Sequence, residues 1–415
     1  MPLLGWVSDD GLKILAARAV RSFAYGMLSV LLGVYLKERG LSSFEIGAIF
    51  SLAIAGGALS TLVASAMADR VGRRTYLLAA GVLMSAAGLA FALADGFPFL
   101  AVAALLGTVS PTATEVGPFL SIEQAMLPQT TAVERRTTAF AVYNLGGNVA
   151  AALGALAGGL PVVLETVTAL DRGEALRAMF LIYAALGVIA TLLFARLSQA
   201  VEVSEERRPL TGLRRSRGRV AGLSALFALD SFGGGFVIQS VVALWFFEKY
   251  GVPLERLGTL FFVSGLLSGA SFLVAARLAG RFGLLNTMVF SHLPSNVLLM
   301  LVPLAPSLPL ALAAYLSRMA LSQMDVPTRQ AYTVALVEPE ERTAAAGTTN
   351  LSRTAAQAVS PSLGGLAMGS LSLSAPFLIG GGLKIVYDLV LFAAFRRVRL
   401  ADQAPLAEVE RRQSV

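Results

Sequence analysis

Long apolar stretches alternate with short polar ones along almost the whole chain. Each apolar stretch is about 20 residues or longer, the length that a helix needs to cross a bilayer core of roughly 30 Å. Backbone polar groups can be satisfied inside lipid only in helices or closed barrels, so the pattern predicts an all-α polytopic membrane protein. We predict twelve transmembrane spans, at residues 12–36, 43–66, 75–94, 98–126, 137–160, 178–197, 220–247, 257–279, 286–305, 308–333, 343–367 and 376–396.

One polar stretch is longer and more charged than the others. It includes Glu205-Glu206-Arg207-Arg208 and Arg214-Arg215-Ser216-Arg217, and it separates the sixth span from the seventh. We therefore predict four parts: an N-terminal six-helix half at 1–198, a linker at 199–219, a C-terminal six-helix half at 220–397 and a tail at 398–415.

The basic residues are unevenly divided between alternate loops. Cytoplasmic loops of membrane proteins carry an excess of Lys and Arg, so the linker and the tail are predicted to be cytoplasmic, in a multi-pass protein of the cell (inner) membrane. The N-terminus lacks a basic region followed by a short apolar core, and we expect it to be an uncleaved cytoplasmic segment. The segments assigned to the cytoplasm contain six arginines in the linker, five in the tail from Arg396, and Arg70, Arg73, Arg74, Arg135, Arg136, Arg281 and Arg342. The loops assigned to the outside contain only Lys37, Arg39, Arg172, Arg177, Lys249 and Arg256.

Composition agrees with this class and excludes others. The chain has 415 residues, of which 56% are hydrophobic and 14% charged, well below the quarter that is charged in soluble proteins. The net charge of +7 does not predict nucleic-acid binding, because the basic residues follow the loops. The absence of cysteine excludes thiol chemistry. With a single histidine and no phosphate-binding loop, neither an enzyme nor an ATP-driven pump is expected, and no cofactor is predicted.

The two halves repeat each other in sequence. The loop Asp69-Arg70-Val71-Gly72-Arg73-Arg74 between the second and third spans has a weaker copy, Gly280-Arg281-Phe282-Gly283. Gly72 corresponds to Gly283 at an offset of 211, and Asn144 corresponds to Asn350 at an offset of 206. Matches that keep their order over this distance indicate two halves of parallel topology.

The Asp-Arg-x-Gly-Arg-Arg loop and the two six-span repeats resemble the major facilitator superfamily. The resemblance implies a secondary transporter that binds a small-molecule substrate between its halves near mid-membrane and rocks one half against the other. It also implies a monomer in a lipid bilayer that uses protons or another coupling ion. The loop residues Asp69, Arg70, Gly72, Arg73 and Arg74 would form the gating motif, with Asp69 and Arg73 holding the halves together on the cytoplasmic side.

A second motif of this superfamily is partial. Drug antiporters carry a glycine- and proline-rich signature in the fifth span, where this chain has Gly154, Gly158 and Gly159 but Ala155 at the proline position. A fuller version, Ser360-Pro361-Ser362-Leu363-Gly364-Gly365, occurs in the eleventh span. Close helix packing is the alternative explanation for these glycines.

Ionisable side chains inside spans are costly and usually face a cavity or a partner. Arg21 is matched in the repeat by Asp230, and Glu123 by Arg329, with the charge reversed each time. We expect Arg21 and Asp230 to pair across the cavity, while Glu123 and Arg329 could instead form a gate or a structural ion pair. The predicted substrate and proton site comprises Arg21, Tyr25, Glu123, Asn144, Asp230, Gln239, Asp325, Arg329, Asn350, Arg353 and Gln357.

Other polar residues in the spans are expected to be structural. Arg18 is predicted to extend to the cytoplasmic surface. Lys384 and Asp388 are four residues apart and are expected to neutralise each other. His292, the only histidine, is interpreted as a packing residue of an outer helix, and Glu115 is left without an assigned place.

Three functions remain open from the sequence. The first is a proton-coupled transporter of a small organic solute, with antiport or efflux favoured and Asp230, Asp325 and Glu123 as proton acceptors. The second is an organic-anion or phosphate-ester carrier, with Arg21, Arg329 and Arg353 binding the anion. The third is a divalent metal ion transporter that uses the carboxylates, although the adjacent arginines oppose cation binding and no dedicated metal site is predicted.

Overall fold

The computed structural model describes residues 6–115, 117–202, 216–337 and 341–398. Regular structure in these ranges is helical, without a β-strand. Most of the predicted linker and tail lies outside them. The α-helices are α1 (Asp9–Glu38), α2 (Ser43–Val71), α3 (Arg73–Leu93), α4 (Phe97–Leu106), α5 (Pro118–Met126), α6 (Arg136–Ala157), α7 (Leu160–Val167), α8 (Arg172–Ala195), α9 (Arg217–Gly235), α10 (Gln239–Tyr250), α11 (Leu254–Phe282), α12 (Leu284–Leu301), α13 (Leu308–Ser322), α14 (Asp325–Ala335), α15 (Arg342–Ser370) and α16 (Ala375–Phe395).

All twelve predicted spans are helical, but four of them are divided into two helices. Within the described ranges, nine helical stretches are long and apolar enough to cross a membrane. The other three predicted spans differ for physical reasons. The fourth and tenth are split into short helices, and the eleventh, α15, has the length but is rich in Ser, Thr and amide side chains.

Three of the four divisions, those of the fourth, seventh and tenth spans, occur near charged residues. The fourth span is interrupted between α4 and α5 by a loop that carries Glu115, and the tenth is interrupted just before Asp325. The seventh span breaks after Gly233-Gly234-Gly235, between α9 and α10, which confirms the break that the glycine run predicts. An interrupted helix exposes backbone groups and widens the space around nearby side chains.

The described residues pack into two compact units. Unit 1 contains the described residues up to 202 together with 235–266 and 358–376. Unit 2 contains 216–234, the described residues of 267–357, and 377–398. The predicted division at the linker follows the sequence repeat, whereas the units follow packing, so that division stays a prediction.

Glycines allow the helices of unit 1 to approach closely. A side chain at Gly26 of α1 would collide with the backbone of Ala151 on α6, and one at Gly154 of α6 would collide with the backbone of Phe23. On the other side of the unit, Gly88 of α3 lies against Ala184 of α8. These contacts support the packing explanation for the glycines of the fifth span.

Segments of the second sequence half also belong to unit 1. Ser240 at the start of α10 donates its hydroxyl to the Ser29 carbonyl at 2.9 Å. The backbone amide of Ser362 on α15 donates to the Ser51 hydroxyl at 2.9 Å. Inside unit 1, the two sequence halves are therefore joined by hydrogen bonds as well as by apolar packing.

Unit 2 has its own core on one side of its charged residues. Val220 and Phe227 of α9, Met288 of α12, and Tyr387 and Leu391 of α16 are almost fully buried in one apolar cluster. This cluster fixes α9, α12 and α16 against each other, and their polar faces consequently meet.

Candidate substrate and proton site

Each unit contains one buried ionic cluster. In unit 1 the guanidinium of Arg21, on α1, is fully buried and saturated by carboxylates. Its Nε donates to Glu115 Oε1 at 3.0 Å, and its Nη1 and Nη2 donate to the two oxygens of Glu123 at 2.8 and 2.7 Å. Two parallel bonds from one arginine to one carboxylate form a strong, geometrically fixed pair.

The neighbours of this pair complete a neutral cluster. Arg18 forms an ion pair with Glu115, and the Tyr143 hydroxyl donates to Glu123 Oε2 at 2.6 Å. The ring of Phe119 lies 4.3 Å from the Arg21 guanidinium carbon. Two arginines thus balance two glutamates, which is the arrangement that makes buried charge tolerable.

The cluster in unit 2 is centred on Asp230 of α9. Lys384 Nζ donates to its Oδ1 at 2.5 Å. Arg353 Nη1 and Arg329 Nη1 donate to its Oδ2 at 3.0 and 3.4 Å. One buried carboxylate is therefore contacted by three cations, which come from α16, α15 and α14.

Two further carboxylates border this centre. Asp325 accepts from Arg329 Nη1 at 2.5 Å. Asp388 Oδ1 is 2.8 Å from His292 Nδ1, and Asp388 Oδ2 accepts from Asn296 Nδ2 at 2.8 Å. The polar face of α12 thereby connects α16 to the Asp230 centre.

The prediction that Arg21 and Asp230 pair with each other is wrong. The hydrogen-bonding nitrogens of Arg21 are bound to Glu115 and Glu123, and both oxygens of Asp230 are bound to cations of unit 2. The repeat instead relates two pairs that each lie within one half. Arg21 binds Glu123 in the first half, and Asp230 binds Arg329 at the equivalent positions with the charges exchanged.

Three expectations for structural residues also need correction. Arg18 does not extend to the surface, because it is buried against Glu115. Lys384 and Asp388 do not neutralise each other, since Lys384 binds Asp230 and Asp388 binds His292 and Asn296. His292 is buried among ionisable groups, with its Nε2 only 3.7 Å from Asp230 Oδ1.

The remaining predicted site residues are neutral and do not carry the charges of the two ionic centres. Tyr25 is buried in unit 1, with its ring 6.4 Å from that of Tyr183. Gln239 donates to the Ser29 hydroxyl at 2.8 Å. Asn144 and Asn350 are exposed on α6 and α15. Gln357 is half-buried on α15, one turn beyond Arg353.

The predicted gating loop is tied to its own half. Arg73 Nε binds Asp69 Oδ1 at 3.0 Å, and the backbone amides of Arg73 and Arg74 donate to the two oxygens of Glu202 at 2.8 and 3.0 Å. A carboxylate at this position caps α3 and complements its dipole. Arg70 is exposed. The gating role of the loop stays a prediction.

Sequence reasoning missed Glu115, Lys384, His292, Asp388 and Asn296 as members of the ionic clusters. The spacing of Lys384 and Asp388 shows that they share one helix face, and the same is true of His292 and Asn296. Two residues on one face can bind each other or can bind residues of a neighbouring helix. Spacing alone does not show which of these occurs. Among the described residues, no three His, Cys, Asp or Glu side chains are placed so that they could hold a metal ion.

The structure has two units, each with interrupted spans and a buried ionic cluster. This arrangement is typical of a polytopic membrane carrier rather than an enzyme. The family model for the Major Facilitator Superfamily matches residues 14–321 and 223–414 of the chain. The chain therefore belongs to this superfamily of membrane transporters. It is 28% identical to the uncharacterized membrane protein YJR124C of Saccharomyces cerevisiae, over 94% of each chain.

Solved transporters share the fold at low sequence identity. The nucleoside transporter NupG matches with a TM-score of 0.73 and 15% identity, over 94% of this chain and all of its own. A bacterial homologue of the iron transporter ferroportin, in an inward-facing state, matches with a TM-score of 0.72 and 13% identity, over 95% of this chain and 99% of its own. A D-xylose-proton symporter matches with a TM-score of 0.70 and 15% identity, over 92% of this chain and 97% of its own.

Proposed function

We propose that this transporter moves a small organic solute by alternating access in a proton-coupled cycle, and that Asp230 takes up the coupling proton. One observation carries the proposal: a single buried carboxylate is contacted by Lys384, Arg353 and Arg329. No comparable excess of cations surrounds Glu123 in unit 1, where Arg21 is held by two carboxylates.

A proton on Asp230 would change the energy of the whole cluster. Three cations are held together by the negative charge that protonation removes, and a buried charge without a partner costs several kcal/mol. The protonated cluster must therefore release a cation to water or accept another anion. Because either change alters which arrangement of helices is stable, proton uptake is linked to conformation.

A second candidate, an organic-anion or phosphate-ester carrier, is favoured by the charge balance. The side chain of Arg353 is 24% exposed, against 10% for Lys384 and for Arg329, so it is the cation on Asp230 that a solute can most readily contact. The planar fork of arginine fits a carboxylate or a phosphate. Arg318 of α13 also interacts electrostatically with Asp230. With His292 neutral, this cluster therefore contains three carboxylates (Asp230, Asp325, Asp388) and four cations (Lys384, Arg318, Arg329, Arg353).

The two candidates differ in the direction of coupling. An anion would bind when Asp230 is protonated and its cations are free, so proton and solute would move together. A cationic solute would compete with the proton for Asp230, which gives the antiport favoured from the sequence. The fold accommodates proton coupling, since a D-xylose-proton symporter shares it. A divalent metal ion has no support from the described geometry.

The test begins with thermal unfolding of the purified protein in the presence of monocarboxylates, phosphate esters, nucleosides, sugars and organic cations. Compounds that raise the unfolding temperature are then followed into liposomes with an imposed pH gradient. Asp230→Asn should retain solute exchange without a gradient and lose accumulation driven by the gradient. Asp95→Asn, at an exposed acid of unit 1, is the matched control.

The same assay separates the candidates. For an anionic solute, Arg353→Gln should weaken binding about tenfold or more and Arg353→Lys should restore part of it, whereas binding of a neutral or cationic solute should persist. Gradient-driven accumulation that is unchanged in Asp230→Asn would rule out the proposed role of Asp230.

A further inference from the structure

The only histidine of the chain lies between two buried carboxylates of unit 2. His292 Nδ1 is 2.8 Å from Asp388 Oδ1, and its Nε2 is 3.7 Å from Asp230 Oδ1. His292 is only 4% exposed, and its imidazole thus connects the centre of the cluster with Asp388, a second carboxylate, on α16.

The hydrogen bonds decide which ring nitrogen carries the proton. An ionised carboxylate only accepts hydrogen bonds, and Asn296 Nδ2 already donates to Asp388 Oδ2. With Asp388 ionised, His292 therefore donates from Nδ1 to Asp388 Oδ1, and Asn296 Nδ2, although 3.2 Å from His292 Nδ1, donates to Asp388 alone. In a neutral ring, Nε2 then carries no hydrogen, and its lone pair faces Asp230 Oδ1. Two acceptors in this position repel each other, and a proton on either of them removes the repulsion.

We propose that His292, oriented by Asp388, is a second proton-binding site behind Asp230 and exchanges a proton with it during transport. The inference rests on the proposed function, since it extends the path of the coupling proton. In the exchange step the O–H bond of protonated Asp230 breaks as an N–H bond forms at Nε2. The resulting imidazolium is paired with both carboxylates, and the reverse step returns the proton.

The distance sets a condition on this step. At 3.7 Å, Nε2 and Asp230 Oδ1 are too far apart for a hydrogen bond. Transfer therefore requires a small rotation of the imidazole or a bridging water. Tyr387 limits the rotation, because its ring lies edge-on at 5.9 Å from the imidazole.

The charges around His292 act in opposite directions. Asp388 and Asp230 favour the imidazolium, and Lys384 on Asp230 opposes it. The groups facing this network from neighbouring helices are Asp230, Asp325, Arg318, Arg329, Arg353, Lys384, Tyr387 and Asp388.

A single histidine makes the test direct. We suggest nitrogen NMR of the full-length protein, labelled with ¹⁵N-histidine, purified without a histidine tag and placed in lipid nanodiscs. The expected result is one imidazole signal that is Nδ1-protonated at pH 8.5 and becomes charged as the pH falls to 5. An imidazole that stays neutral, or stays charged, over this whole range would overturn the proposal.

Variants then separate a proton site from a packing residue. At pH 6.5 the ratio of charged to neutral imidazole should fall about tenfold or more in Asp388→Asn, because the variant removes a negative charge that attracts the imidazolium. Asp230→Asn should act in the same direction, and Asp95→Asn should leave the ratio unchanged. A ratio that is the same in all three variants would contradict the proposal.

This readout needs no substrate, so its failure can be distinguished from failure of the proposed function. If His292 titrates as expected but Asp230→Asn keeps gradient-driven transport, the second site exists and the coupling role of Asp230 is wrong. If Asp230→Asn loses gradient-driven transport while His292 does not titrate, the proposed function stands and the second site is excluded.

Discussion

At the scale of single residues, the main finding is where buried charges find their partners. Reversed charges at repeat-equivalent positions predict a relationship between Arg21 and Asp230, and also between Glu123 and Arg329. The structure pairs Arg21 with Glu123 and Asp230 with Arg329. Because each ion pair lies within one sequence half, neither buried charge depends on a partner in the other half.

The first prediction concerns the cluster of unit 1. Arg21→Met leaves Glu115 and Glu123 buried with Arg18 as their only arginine, and we expect the free energy of unfolding to fall by about 3–5 kcal/mol. Thermal unfolding in detergent would measure the loss. The double variant Arg21→Met, Glu123→Gln removes one charge of each sign and should recover part of it.

Arg135 provides the control for this prediction. It is exposed ahead of α6, and Arg135→Met should change stability by less than about 1 kcal/mol. Equal unfolding temperatures for Arg21→Met and Arg135→Met would show that the buried cluster does not hold unit 1 together.

At the scale of helices, charge and helix breaks coincide. The three divided spans that carry buried charges are the fourth, the seventh and the tenth, with Glu115 in one break, Asp325 at the edge of another and Asp230 five residues before the third. The glycine run predicts the break in the seventh span, but the other two depend on packing. A broken helix lets side chains of neighbouring helices converge on one charged group.

The second prediction tests the turn that joins α2 to α3. Gly72 has φ = +99°, and its repeat equivalent Gly283 has φ = +83°, a region that other residues rarely enter. Gly72→Ala should therefore cost about 1–3 kcal/mol of stability, as measured by thermal unfolding.

Gly146 is the matched control. It lies inside α6 with open space where a side chain would stand, so Gly146→Ala should be neutral or stabilising, because alanine favours a helix by about 1 kcal/mol. A stability loss that is no larger at Gly72 than at Gly146 would mean that the turn adapts without strain.

At the scale of the whole molecule, the positive loops predict the orientation in the membrane. The third prediction uses the absence of native cysteine. In intact cells an impermeant thiol reagent should label Ala169→Cys, in the loop before α8, and should label Ser204→Cys in the linker only after the membrane is opened. The reverse pattern would place both termini outside.

The sequence by itself determined the class of protein, the approximate spans and the repeat. It also identified Asp230 and three residues that bind it or its partners: Asp325, Arg329 and Arg353. These follow from local facts, since apolar length, charged loops and a charge inside a span are all visible in one dimension. The same reasoning identified Arg21 and Glu123 as buried and paired, although with the wrong partners.

Only the tertiary structure decided the partners. Lys384 and His292 reach Asp230 from α16 and α12, helices that are distant in sequence from α9. Helical spacing places Lys384 and Asp388 on one face, but the packing of Phe227, Met288 and Tyr387 determines what that face meets. Long-range packing therefore turned two residues expected to neutralise each other into parts of a connected ionic network.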